Sequence, residues 1–184
     1  MTGFGHSFTG LSIGVLDMPA AWTRHRKVGL LALHVGLANL PDLPLPGWGH
    51  HSYQISHSLF VNLALALAVV AGLARWRRAR EALGGWHVVA GCAAAWLSHL
   101  LLDAFYNHGH GVRIFWPLSS TGSLRLPLPW FSVLPGWRAD PVVLRIFGVE
   151  LLCYGALPLL CITARLLWLR RRRGRAPLRG GEGS

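Results

Sequence analysis

Charge is what this sequence has least of. Asp, Glu, Lys and Arg make up 14% of the 184 residues, and only 7 residues are acidic. Ordinary soluble domains carry roughly 25% charged residues. The shortage is concentrated: residues 55–74 and 82–102 contain no Asp, Glu, Lys or Arg at all. Each run is close to the roughly 20 residues a helix needs to cross a bilayer core of about 30 Å, and two such runs almost end to end exclude an ordinary soluble domain. Cysteine is nearly absent too. Cys92, Cys153 and Cys161 lie inside apolar stretches, so their odd number argues against a disulfide framework and their spacing against a Cys-based zinc site. No Lys or Arg precedes the first apolar stretch, so no secretory signal peptide is expected.

The charge that is present is basic and grouped. The formal net charge is +11, and 14 of the 18 Lys and Arg residues fall in three clusters, 24–27, 75–80 and 165–179. Each cluster abuts the end of an apolar block, which is where topology-setting charges stand and not where a base-reading surface would be built. The lipid bilayer is therefore the expected partner and nucleic acid is not. Placing the clusters in the cytoplasm puts the starts of the first, third and fifth blocks, and the ends of the second and fourth, on the opposite, non-cytoplasmic side of the membrane. The C-terminal tail is then cytoplasmic.

The blocks themselves predict an all-α fold. They are 4–22, 28–40, 55–74, 82–102 and 146–164, an integral membrane bundle of about five helices with four to five of them spanning. The second block, 13 residues, is short for a span, and Pro41, Pro44 and Pro46 end it. Residues 1–170 form one membrane-embedded domain, and 171–184, rich in Arg and Gly, form a disordered tail.

On this topology the ionisable groups are one-sided. His6, Asp42, His50, His51, His57, His99, Asp103, His108 and His110 all fall near the non-cytoplasmic face, whereas His25, His34 and His87 do not. His99 and Asp103 are four apart on a helix, so both point to one side of it. An imidazole and a carboxylate at that spacing supply two ligands for one divalent metal, and His6, Asp42 and His57 supply the rest of a zinc- or manganese-type shell. Ionisable groups inside apolar spans are expensive to keep and tend to be functional. A carboxylate not fully engaged by metal, Asp42 or Asp103, is the candidate general base for attack on an ester or phosphoester. Glu150, a further acid within the fifth block, is expected to make a structural pair.

These residues resemble a known family. Ser98-His99-Leu100-Leu101-Leu102-Asp103, followed by Trp116-Pro117-Leu118-Ser119, is similar to the elements of the YdjM-like family of membrane-bound, metal-dependent hydrolases. His6-Ser7, Leu40-Pro41-Asp42 and Ser56-His57-Ser58-Leu59 match its earlier elements in order, so the resemblance covers residues 6 to about 135. Family members often carry a second Asp where this chain has Pro44, and His-Arg-Gly where it has Ser52-Tyr53-Gln54. The resemblance implies a metal-dependent hydrolase of a bacterial inner membrane and names no substrate; a site at the periplasmic interface, reached from the bilayer, points to a lipid or other amphiphile carrying an ester or phosphoester. The alternative function is a non-enzymatic inner-membrane scaffold that recruits partners through its Arg-rich tail.

Overall fold

Residues 3–106, 111–119, 122–126, 128 and 141–174 are described by the computed structural model, and among them every regular element is helical. The seven α-helices are α1 (Gly3–Asp17), α2 (Arg24–Asn39), α3 (Tyr53–Ser56), α4 (Leu59–Arg75), α5 (Arg77–Ala82), α6 (Trp86–Ala104) and α7 (Pro141–Gly174). Val112 and Leu124 form an isolated antiparallel bridge, outside any strand among the described residues.

Local chemistry sets each boundary. α1 carries small residues along one face, and these let it lie close against α2. A Cβ on Gly10 would stand 2.6 Å from the His34 carbonyl, and one on Gly14 would stand 3.2 Å from the His34 ring. Small residues allow such close helix contact where apolar burial gives little drive. α2 begins inside the first basic cluster, a turn earlier than the apolar pattern predicts, because Arg and Lys are good helix formers. It ends in a 3-10 turn, Leu40–Asp42, as Pro41 lacks the N–H that a further α-turn requires. At 16 residues α2 is about 24 Å long, as short as expected.

The third apolar block differs from its expected form. It is broken at His57 and Ser58 into α3 and α4. Ser58 is extended and caps α4 by accepting a hydrogen bond from the Val61 amide at 3.3 Å. The Leu59 amide donates to the Ile114 carbonyl at 2.9 Å, so the loop after α6 reaches back to satisfy the exposed helix start. α7 is longer than the fifth apolar block at both ends. It passes through Pro158 and continues to Gly174, so the first residues of the expected tail are helical, and the remainder of that tail lies outside the described residues.

Two of the expected spans, Trp86–Ala104 and Pro141–Arg172, are long and apolar enough to cross a membrane, and Leu59–Arg75 is apolar but shorter. α1 packs against α2, α6 and α7, and α2 against α6. The basic clusters gather at one end of this assembly. Arg165 of α7 donates to the Val15, Leu16 and Met18 carbonyls that close α1, and Trp22 lies against Gly84 between α5 and α6. There Arg26, Arg80 and Arg172 each sit over a tryptophan, Trp22, Trp86 and Trp168, at 5.4, 4.7 and 4.1 Å from the ring centre. The opposite end holds the start of α1, the ends of α2 and α6, and the break before α4.

Candidate metal centre

Five residues named from the sequence meet at that opposite end. His6 comes from the second turn of α1, Asp42 from the 3-10 turn after α2, His57 from the α3–α4 break, and His99 and Asp103 from the last turns of α6. His6, His57 and His99 are fully buried, and Asp103 is 4% exposed. Asp42 is the most open member, with 27% of its side chain accessible.

The neighbours of the two central histidines bear on which ring nitrogen carries the proton. His99 Nδ1 lies 2.8 Å from the Ala38 carbonyl, which can only accept, so the proton is on Nδ1 and Nε2 presents a lone pair. His57 Nδ1 lies 2.8 Å from Ser56 Oγ. That hydroxyl has carbonyl acceptors for its own proton in Gly49 at 3.2 Å and Tyr53 at 3.4 Å, which frees its oxygen to accept from a His57 Nδ1–H. In that tautomer His57 Nε2 also points a lone pair inward.

The consequence is a crowd of electron-pair donors. The two Nε2 atoms stand 3.3 Å apart. His57 Nε2 is 3.3 Å from Asp42 Oδ1 and 3.4 Å from Asp103 Oδ2, and His99 Nε2 is 3.6 Å and 3.3 Å from the same two atoms. One ligand atom from each of Asp42, His57, His99 and Asp103 lies within 4.8 Å of the other three. Neutral imidazoles and ionised carboxylates in this arrangement repel one another unless a cation stands between them. A tetrahedral shell with bonds of about 2.0–2.2 Å has edges of roughly 3.3–3.6 Å, and the five distances above fall in that window. The residues fit a divalent metal.

His6 stands outside this set of four. Its ring lies flat on His99, centroids 3.7 Å apart and planes at 11°, and its Nε2 is 3.2 Å from Asp103 Oδ1. Asp103 thus turns one oxygen to the central histidines and the other to His6. Of the remaining expected histidines, His108 and His110 lie outside the described residues, and of His50 and His51 only the backbone, in a 3-10 turn, is described. Glu150 is buried and faces the phenol of Tyr106, which burial, then Tyr154 and Glu150, hold well above its ordinary pKa.

With no ion between them, the carboxylates instead favour a second proton on the facing His57 imidazole, the same positive charge at the centre that a metal would bring. Burial alone would raise the Asp42 carboxyl, but hydrogen bonds with His57 and His99 outweigh it and hold the group well below the usual carboxylate range. Burial alone would lower His57, but Asp103 and Asp42 outweigh it and raise its affinity for a proton. Both shifts say that this pocket favours positive charge at its centre.

Several residues around the ligands carry no signal in the ligand pattern. Asn62 donates to the carbonyls of Ser56 and Ser58, both at 2.7 Å, and so clamps the peptide units that flank His57. Trp96 holds Asn62 in turn, donating to its Oδ1 at 2.8 Å. Tyr53 stacks on His57, centroids 3.9 Å apart. A second polar cluster, unread in the sequence, joins α1 and α2: His34, fully buried, has Nδ1 2.9 Å from the Leu30 carbonyl and Nε2 3.1 Å from Asp17 Oδ2. Asp17 in turn occupies the space that a side chain at Gly91 of α6 would fill.

A family model described as YdjM inner membrane protein matches residues 1–175, and the chain belongs to that family. No curated protein and no solved structure matches the chain.

Proposed function

We propose that this member of the YdjM family is a membrane-embedded, metal-dependent hydrolase that cleaves an ester or phosphoester of a lipid or other amphiphile at the non-cytoplasmic interface. The observation that carries the reading is the convergence of His57, His99, Asp42 and Asp103 on one point, with His99 held in the ligating tautomer by the Ala38 carbonyl and Ser56 placed to accept from His57 in the same tautomer. Such outer partners are how proteins hold metal-binding histidines.

In this reading α1, α2, α4, α6 and α7 all cross the bilayer, with the basic end in the cytoplasm and the His and Asp end facing the periplasm. α1, α2 and α4, at 15 to 17 residues, match the core through tilt or local thinning. Asp42, His57, His99 and Asp103 would hold the ion, zinc in the first place and manganese in the second, with Asp42, the most open of the four, the ligand that would yield its place to water. His6 belongs to the site through Asp103 and fixes the orientation of that carboxylate. When bound, the metal supplies Lewis-acid polarisation of the scissile group and a lowered pKa for water. Asp42, the open carboxylate, takes the proton from the attacking water as general base. Asp103, engaged by three histidines, holds its charge in place and balances the ion.

Metal analysis of the purified protein, wild type beside His99→Ala and Asp103→Ala, tests this. Stoichiometric divalent metal in the wild type and its loss in both variants is the expected result. A wild-type protein without bound divalent metal after purification in metal-supplemented buffer sinks the reading.

A further inference from the structure

An apolar space lies one turn away from the ligands. It is a slot of about 220 Å³ between α2, α4 and α6, walled by Leu37, Ala66, Val70, Leu73, Ala93 and Trp96 among others, and its lining is almost wholly hydrocarbon. It exceeds the ~150 Å³ at which an apolar cavity already accepts a benzene and stays dry. α4 forms the outer wall and packs only lightly on α6. Of its 17 residues only Asn62 and Ala66 are buried, while Leu63, Leu65 and Leu67 are 42%, 41% and 57% exposed. Against the bilayer, such a slot between an outlying apolar helix and the helices behind it is filled by hydrocarbon, because no polar group lines it to hold water.

Its position relative to the ligands makes the hydrocarbon specific. Ala66 to Leu73 spans roughly 10 Å along α4, and Trp96 precedes His99 by about 4.5 Å of rise on α6. A chain lying in the slot with its first carbons beside Trp96 therefore carries its polar linkage at the level of His99. The wall and the site share parts: Trp96 holds Asn62, which clamps the backbone around His57, and Leu37 precedes Ala38, whose carbonyl anchors His99.

We propose that the slot between α2, α4 and α6 seats one acyl chain of a bilayer lipid and thereby presents that lipid's ester or phosphoester linkage to the His and Asp cluster. The presentation of the linkage rests on the hydrolase reading; the seating of the chain does not. The substrate class that follows is a membrane lipid whose acyl chain enters sideways from the leaflet.

The test uses the full chain in liposomes of phosphatidylethanolamine and phosphatidylglycerol that contain a phosphatidylethanolamine with a photoactivatable diazirine at mid-chain. After irradiation the adducts are mapped by mass spectrometry and bound metal is measured on the same sample. Adducts are expected to concentrate on residues 66–73 and 88–93, above the level at the freely exposed Leu152 and Leu159 of α7. Ala93→Leu and, separately, Ala66→Leu fill the slot and should lower those adducts about tenfold, since side chain and ligand then compete for one volume. Both variants should keep their α7 adducts and their metal, which also reports that they have folded. Labelling in proportion to exposure, highest on α7 and unchanged in both variants, overturns the proposal. Slot labelling in a protein that binds no metal leaves the acyl seat standing and removes the hydrolase reading; metal without slot labelling does the reverse.

Discussion

Ser56→Ala isolates the step on which the metal reading depends. The Nδ1 proton of His99 is held by a backbone carbonyl, which no substitution removes. In the ligating tautomer the Nδ1 proton of His57 is held by a side chain, Ser56 Oγ at 2.8 Å, so Ser56 is the place where the tautomer can be released without touching a ligand. In Ser56→Ala the buried Nδ1–H loses its acceptor. The imidazole then does better with its proton on Nε2, where Asp42 and Asp103 oxygens wait at 3.3 and 3.4 Å. The metal-free site gains a hydrogen bond, and the metal must undo it to bind.

Loss of an outer partner of a ligating histidine typically weakens metal affinity by about 10- to 100-fold, which is roughly 1.4–2.8 kcal/mol. The same range follows from the cost of stranding a buried donor, about 1–3 kcal/mol. Competition against a chelator of known affinity, with zinc and with manganese, measures the change directly. The fall should appear in affinity and leave stoichiometry at saturation intact, because all four ligands remain. Wild-type affinity within twofold in Ser56→Ala, alongside loss of metal in His99→Ala, would refute the claim that the fold aims these lone pairs before the ion arrives.

Other outcomes follow from the same contacts. His6→Ala should weaken metal binding by about tenfold and leave stoichiometry unchanged, as its link to the site runs through Asp103, and chelator competition distinguishes this from outright loss. Asn62→Leu removes the clamp on the Ser56 and Ser58 carbonyls and leaves both without that donor, so thermal unfolding in detergent should show a loss of about 1–3 kcal/mol. Gly91→Ala drives a methyl into the Asp17 carboxylate and should lower the melting temperature sharply, and adding Asp17→Ala should recover part of that loss, a non-additivity that a double-mutant cycle reads. His34→Leu takes from Asp17 its hydrogen-bond partner across α1 and α2, and the expected penalty is about 1–3 kcal/mol by the same unfolding measurement.

The helical class, the basic end and the five residues that cluster at the other end were legible because each leaves a local mark. Apolar runs mark helices, Lys and Arg clusters mark one end, and His or Asp at the edge of an apolar run is conspicuous by its expense. The His99 and Asp103 pair was readable from spacing alone, since a single helix fixes both. What escaped depends on the other helices. Asp17 reads as an interruption in the first block and His34 as an isolated histidine. Only the approach of α1 to α2 across Gly10 and Gly14 makes them a pair. Asn62 and Trp96, 34 residues apart, become one hydrogen bond only when α4 meets α6.

The break at His57 is the instructive case, because its signal was present and the stronger hydrophobic pattern hid it. Ser58 before Leu59-Phe60-Val61 is an N-cap signature, a serine followed at once by an apolar run. An uninterrupted helix from Ile55 would have served the bilayer equally well, and would have left every amide around His57 bonded within the helix. Instead the chain stops and restarts, and the bonds given up are replaced from outside: Ile114 accepts from the Leu59 amide, and Asn62 donates to the Ser56 and Ser58 carbonyls. Those replacements put His57 on a short, hydrogen-bonded bend, free of the 3.6-residue period, and so able to face His99 and Asp42 at once. A continuous helix fixes one direction per residue and cannot make that adjustment. Restoring helix continuity with Ser58→Ala should therefore cost metal affinity more than it gains in helix propensity, and a variant that kept full affinity would show that the break serves something other than the site.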